Sequence, residues 1–178
     1  MAKNNSGKII VYYGRGEGKT SASLGRAVRM AGRRKKVIIL QFMKGPESGE
    51  HKFFKNVGSP IEIHSAFSAV KPEFLTGKNY ARFLANSEKT LSLARRIVRE
   101  QKCSLLVLDE ILYALGFKLL KEKDILNLLE NRGKVHVILT GGYQLPRSIF
   151  KIADQISEIK KVKHYFNRGQ RAIKGLDL

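Results

Sequence analysis

A single cysteine, no tryptophan, four prolines and only fifteen acidic residues mark this chain of 178 residues. Cys103 has no second cysteine to pair with, so the fold needs no oxidising compartment. No apolar run approaches the ~18–20 residues of a membrane span, which excludes a spanning helix and membrane partners of that kind. The start, Met1–Lys8, is polar and lacks the apolar centre of a secretory signal. A cytoplasmic protein is therefore expected. Hydrophobic residues at 43% and charged residues at 28% are ordinary globular values, so disorder is not the expectation either.

The shortage of acid leaves a net charge of +19. Such a surface attracts phosphates, nucleic acids or acidic proteins and speeds their encounter. Residues 1–60 hold 13 of the lysines and arginines against three acidic residues, so the excess is densest in the first third. Solubility alone explains a charge of this kind equally well.

Short β-branched runs alternate with helix-period segments, the pattern of a parallel sheet covered by helices on both faces. Strands are expected at Ile9–Tyr13, Val37–Phe42, Ile61–His64, Leu105–Leu108 and Val135–Thr140, with an edge strand over Ile156–Val162. Helices are expected over Thr20–Ala31, Asn79–Lys102, Ile111–Gly116, Asp124–Glu130 and Pro146–Ala153, and a short one around Glu50–Lys55. Met43–Pro60 and Ser65–Gly77 are long loops, the length of lids or binding loops. No repeat or linker divides residues 1–178, so one α/β domain is expected, with residues 1–7 flexible and 163–178 a basic tail.

The strongest motif is Gly14-Arg15-Gly16-Glu17-Gly18-Lys19-Thr20-Ser21, between a strand and a helix. Glycines allow backbone N–H groups to approach an anion, and the following helix adds its N-terminal dipole. Lys19 would neutralise phosphoryl charge and the Thr20 hydroxyl would ligate Mg²⁺. Asp109 and Glu110 end an apolar strand that lies beside such a loop in an open parallel sheet, where they can hold the metal. A helix N-cap is the plainer role for that acidic pair. Together these segments predict a P-loop protein that binds a nucleoside triphosphate.

Gly14–Ser21, Gln41-Phe42-Met43-Lys44-Gly45, Val107-Leu108-Asp109-Glu110 and Leu139-Thr140-Gly141 resemble the ATP:corrinoid adenosyltransferases in order and spacing. Ala153-Asp154, Val162-Lys163-His164, Gly169, Ala172 and Lys174-Gly175 extend the resemblance to the end of the chain. It implies an enzyme in which the Co(I) centre of a reduced corrinoid attacks C5′ of ATP, in adenosylcobalamin synthesis or salvage. It also implies a homodimer and an acidic flavoprotein as electron donor. On the matching positions, Gly14, Gly16, Gly18, Lys19, Thr20, Ser21 and Arg29 would hold ATP, with Arg15 and Glu17 beside it as members of the same loop. Lys19 and Glu110 would serve catalysis, and Thr20, Asp109 and Glu110 would hold Mg²⁺.

The chain departs from the family at three places. Glu17 stands where many members have lysine, Gly142 stands where arginine often follows, and the family's Gly-Phe-Thr-Trp stretch has no counterpart. Phe67, Phe74 or His164 would cover the corrinoid instead; loop packing is the alternative for the two phenylalanines. His64 and Cys103 read as structural residues. A nucleic-acid-stimulated ATPase and a non-catalytic ATP or corrinoid carrier are the competing functions.

Overall fold

The computed structural model describes residues 6–45, 48–65, 77–171 and 173–176. Six strands form one sheet: β1 (Ile9–Tyr13), β2 (Val37–Gln41), β3 (Ile61–Ser65), β4 (Leu105–Asp109), β5 (His136–Thr140) and β6 (Gln155–Glu158). Their order is β3-β2-β4-β5-β1-β6, and every neighbouring pair runs parallel. The edge strand β6 is shorter than the apolar run suggested, and the chain leaves the sheet after Glu158.

Side chains alternate across the pleat, which divides the strand residues between two cores. Ile9, Val11, Leu40, Leu106, Leu108, Val137 and Leu139 face one layer of helices: α3 (Gly77–Arg99), α4 (Ile111–Gly116), α5 (Glu122–Glu130) and α6 (Arg147–Ile152). Ile10, Tyr12, Val37, Ile39, Leu105, Val107 and Ile138 face α1 (Lys19–Ala31) and α2 (Gly49–Asn56). Cys103 belongs to the first core, where burial pushes its thiol up to about 11, in keeping with a packing role.

Parallel strands place all their C-terminal ends on one side of the sheet. The loops after β1, β2, β4 and β5 therefore meet at one edge, and those loops carry the chemistry-bearing residues. At the opposite edge the chain is tied down. Gly7 is buried, its N–H donates to the Gly133 carbonyl at 2.8 Å, and the Arg132 guanidinium donates to the Gly7 carbonyl at 2.6 Å. Residue 7 is thus part of the folded body, not of a flexible lead. The basic tail also carries structure: Tyr165–Arg168 forms a 3-10 turn. Among the described residues no helix is long and apolar enough to cross a membrane.

Candidate functional site

The loop Gly14–Gly18 joins β1 to α1, and its glycines do different work. The Gly14 and Gly16 N–H groups donate to the carbonyls of Gly142 (2.9 Å) and Ile159 (2.7 Å), so these two amides anchor the loop instead of facing an anion. A Cβ on Gly16 would lie 2.8 Å from the Lys160 backbone, so only glycine allows that approach. Gly18 caps α1 in the left-handed region, φ 99°. The first hydrogen bond of α1 runs from Ala22 N–H to the Gly18 carbonyl at 2.8 Å, and no side chain caps the helix. The N–H groups of Gly18, Lys19, Thr20 and Ser21 are consequently the unbonded first-turn donors, where the helix dipole is most positive.

Lys19 lies across the loop, donating to the Gly14 carbonyl at 2.9 Å and the Gly16 carbonyl at 2.6 Å. Burial lowers its pKa, with Glu17 and Glu110 acting in the opposite sense. Next to it, Thr20 Oγ1 donates to Asp109 Oδ1 at 3.0 Å. Asp109 is fully buried and well supplied with donors. Thr140 Oγ1 reaches Oδ1 at 2.7 Å, Gln41 Nε2 reaches Oδ2 at 3.2 Å, and the Lys44 ammonium lies 3.3 Å from Oδ2. Lys44 also donates to Thr20 Oγ1 at 2.7 Å. Burial opposes its charge, but Asp109 and Glu110 beside it hold the Lys44 pKa above the ordinary lysine value.

Glu110 follows with φ 63°, a left-handed conformation that costs a non-glycine residue roughly 1–3 kcal/mol. Its N–H donates to Thr140 Oγ1 at 2.9 Å, which locks the turn. Burial, then the neighbouring Asp109 charge, pushes its carboxyl up to about 7, against the pull of Lys44 and Lys19. Thr20 and Asp109 supply hard oxygen donors within hydrogen-bond distance of each other. That set fits Mg²⁺, which usually takes one or two carboxylates and completes its shell with phosphate and water. Among the described residues no group of three or more His, Cys, Asp or Glu could hold a metal ion, so phosphate and water would have to supply most of the shell.

Lys19, Thr20, Lys44 and Glu110 line a cavity of about 1130 Å³ together with Arg15, Glu17, Tyr113, Tyr143, Lys161 and His164, and Asp109 lies buried behind them. His164 packs against Tyr165, ring centroids 4.4 Å apart and planes tilted by 31°. Tyr113 and Tyr143 meet edge to face at 5.3 Å and form an aromatic wall. The Arg15 guanidinium lies 5.7 Å from the Tyr143 ring centre and the Lys19 ammonium 5.9 Å from that of Tyr113. Burial, then Tyr143, raises the Tyr113 pKa, so the phenol stays neutral. Gly141 makes room for this wall, since a Cβ there would meet the Tyr113 ring at 2.8 Å. Gly142, with φ 68°, occupies a backbone conformation unsuited to the arginine expected there.

The sequence therefore placed Arg15, Glu17, Lys19, Thr20, Ser21, Asp109, Glu110 and His164 at one site, and the structure brings them together. Arg29 is the exception. It is exposed on α1 and lines a separate groove with Arg26, Arg33 and His136. Nine residues of helix put it ~13 Å along the axis and half a turn around from Thr20. Within one chain it does not reach the phosphate loop. His64 is exposed beside Glu62, 3.7 Å away, and is not at the site. Phe67 and Phe74 lie outside the described residues. Lys44, Tyr113, Tyr143 and Lys161 were not singled out from the sequence. Lys44 did lie within a quoted motif, and Tyr143 directly follows the Gly141-Gly142 pair.

Comparison with known proteins gives the chemistry a setting. A family model described as ATP:corrinoid adenosyltransferase BtuR/CobO/CobP matches residues 5–178. The corrinoid adenosyltransferase of Pseudomonas aeruginosa is 32% identical over 99% of this chain and 86% of its own length. That of Escherichia coli K12 is 29% identical over 99% and 88%. Among solved structures, the Pyrococcus furiosus Hef helicase domain has a TM-score of 0.45 at 13% identity, covering 97% of this chain and 39% of that one. On the strength of the family match and these relatives, the chain belongs to the ATP:corrinoid adenosyltransferase family.

Proposed function

We propose that the protein transfers the 5′-deoxyadenosyl group of ATP to the cobalt of a reduced corrinoid and releases triphosphate whole. The observation that carries this reading is the convergence of four unbonded first-turn N–H groups and Lys19 beside the Thr20–Asp109 pair. Co(I) donates its electron pair to C5′, a cobalt–carbon bond forms and cobalt becomes Co(III). The C5′–oxygen bond breaks, and its electron pair leaves with the triphosphate. Cobalt is itself the nucleophile, so no side chain need act as general base.

The protein's share is electrostatic and positional. The α1 donors and Lys19 bind the triphosphate, whose negative charge grows as it leaves. Thr20 and Asp109, with Glu110 alongside, would hold Mg²⁺, which when bound would further neutralise the phosphate oxygens. Arg15 borders the same cavity and adds a fixed charge. The Tyr113–Tyr143 wall offers flat apolar surface to the organic part of a substrate, in place of the family's tryptophan stretch. His164 lines the same mouth and faces the corrinoid in this reading.

A homodimer in the cytoplasm and an acidic flavoprotein as electron donor complete the proposal, the latter because the +19 surface would steer it electrostatically. Anaerobic incubation with ATP, Mg²⁺ and a Co(I) corrinoid tests the core claim. The absorption spectrum should change to that of an adenosylcorrinoid. A spectrum that stays unchanged, or changes no faster with the protein than without it, refutes it. The charge also favours nucleic acid, and RNA-stimulated ADP release without adenosylcorrinoid would establish the ATPase reading instead.

A further inference from the structure

Lys44 comes from the loop after β2, the Asp109 carboxylate from the end of β4 and the Thr20 hydroxyl from the start of α1. The structure joins all three: Lys44 Nζ lies 2.7 Å from Thr20 Oγ1 and 3.3 Å from Asp109 Oδ2. Asp109 is fully buried, whereas the Lys44 side chain keeps 29% of its exposure and opens into the phosphate cavity. The Lys44 backbone is held, because its carbonyl accepts a hydrogen bond from the Ser65 hydroxyl. Movement is left to the four-carbon side chain.

The Thr20 hydroxyl, which also meets Asp109 Oδ1, and the Asp109 carboxylate are the groups that fit a divalent cation. An ammonium donating to Thr20 and a dication bound to Thr20 would stand within a few ångströms of each other, two like charges in a poorly solvated place. They exclude one another. An ammonium displaced from Asp109 keeps its charge neutralised only by moving to another anion, and the cavity it lines is where the triphosphate would enter.

We propose that Lys44 is a second triphosphate-binding residue, held by Asp109 and Thr20 in the nucleotide-free protein and passed to the phosphates when ATP and Mg²⁺ take those oxygens. This rests on the ATP-binding reading above. Lys19 is then the permanent cation of the site and Lys44 the exchangeable one. Two effects of opposite sign follow from one substitution. Without the Lys44 charge, the triphosphate loses a contact. Without the Lys44 ammonium, Thr20 and Asp109 are open to a metal even when no nucleotide is present.

The test is calorimetric titration of Lys44→Met, with Lys19→Ala as reference, against ATP with Mg²⁺, tripolyphosphate with Mg²⁺, and Mg²⁺ alone. Lys44→Met should bind both ATP and tripolyphosphate roughly 10- to 100-fold more weakly, the range for a lost charge-assisted bond. It should bind Mg²⁺ alone more tightly than the unaltered protein. Lys44→Gln keeps a donor for Thr20 and Asp109 and removes only the charge; it should show the same nucleotide loss and supplies the answer if the methionine variant does not fold. Nucleotide affinity within twofold of normal in a folded Lys44 variant, while Lys19→Ala is impaired, overturns the proposal alone. Normal ATP affinity in Lys19→Ala as well overturns the phosphate-site reading on which it stands. Weakened ATP binding with unchanged or weaker Mg²⁺ binding in Lys44→Met overturns the exchange.

Discussion

The two ends of the parallel sheet are built on opposite terms. At the N-terminal edge, polar groups bond each other within the protein. Asp154 accepts from Ile9 N–H at 2.8 Å and from the Lys8 ammonium at 2.9 Å, while its own N–H donates to the Ile9 carbonyl. Arg132 grips the Gly7 and Leu129 carbonyls, and Lys134 N–H donates to the Gln101 side chain. At the C-terminal edge, the first-turn donors of α1 have no intrahelical partner, Lys19 rests on carbonyls and Glu110 is held in the left-handed region. The bonds named at one end join groups of the protein to each other; those at the other are arranged to be exchanged for a ligand. Disturbing the first end should change stability and spare binding, and disturbing the second should do the reverse.

Lys19→Ala is the largest expected effect. Its two bonds to loop carbonyls are lost without leaving a buried charge, so thermal stability should barely move. ATP affinity should fall roughly 10- to 100-fold and transfer should be abolished. Unchanged ATP affinity measured by titration would break the comparison at its functional end. Gly7→Ala probes the other edge. A Cβ there would lie 1.9 Å from the Val135 carbonyl oxygen, backbone that cannot turn aside. Overpacking of this kind costs about 1–3 kcal/mol, which should appear as a lower melting temperature with normal ATP affinity per folded molecule.

Asp154→Asn sharpens the contrast through pH. Burial alone would raise the Asp154 pKa, but the Ile9 N–H and the Lys8 ammonium outweigh it and hold the pKa below the ordinary 3.8. A depressed carboxyl pKa contributes stability above the unfolded value and loses it as pH falls through the folded one. Denaturant titration should find Asp154→Asn less stable by about 1 kcal/mol at pH 7, a modest figure because Lys8 is exposed. The deficit should close as pH drops below the ordinary aspartate value. A deficit independent of pH would mean that the carboxylate charge is not what joins β1 to β6. Glu17→Lys is the smallest change. The exposed Glu17 carboxylate borders the phosphate cavity, so reversing it should tighten ATP binding severalfold at low salt and hardly at all at high salt.

The contrast between the edges also separates what the sequence revealed from what it concealed. The phosphate loop and the Asp109-Glu110 pair were legible because each lies at the end of one apolar strand, a signal contained within a few residues. The cation on Asp109 was not, since Lys44 reaches it only because β2 and β4 are neighbours, with Gln41 in register with Asp109. Strand order is not written in local periodicity. The same holds for the aromatic wall, whose two tyrosines come from α4 and the loop after β5. Glycine spacing alone suggests amides aimed at an anion, whereas two of the glycines anchor the loop; which carbonyl faces which amide depends on Ile159 and Gly142, far along the chain. Motif order puts Arg29 at the nucleotide, and the geometry of α1 turns it to a separate groove.

The fate of the triphosphate distinguishes adenosyl transfer from hydrolysis most directly. Phosphorus NMR of a complete anaerobic reaction with ATP, Mg²⁺ and Co(I) corrinoid resolves the possible products. Transfer at C5′ predicts intact triphosphate accumulating in step with adenosylcorrinoid and no ADP. ADP and inorganic phosphate as the products would contradict it, because bond cleavage would then have occurred between phosphates and not at the adenosyl carbon.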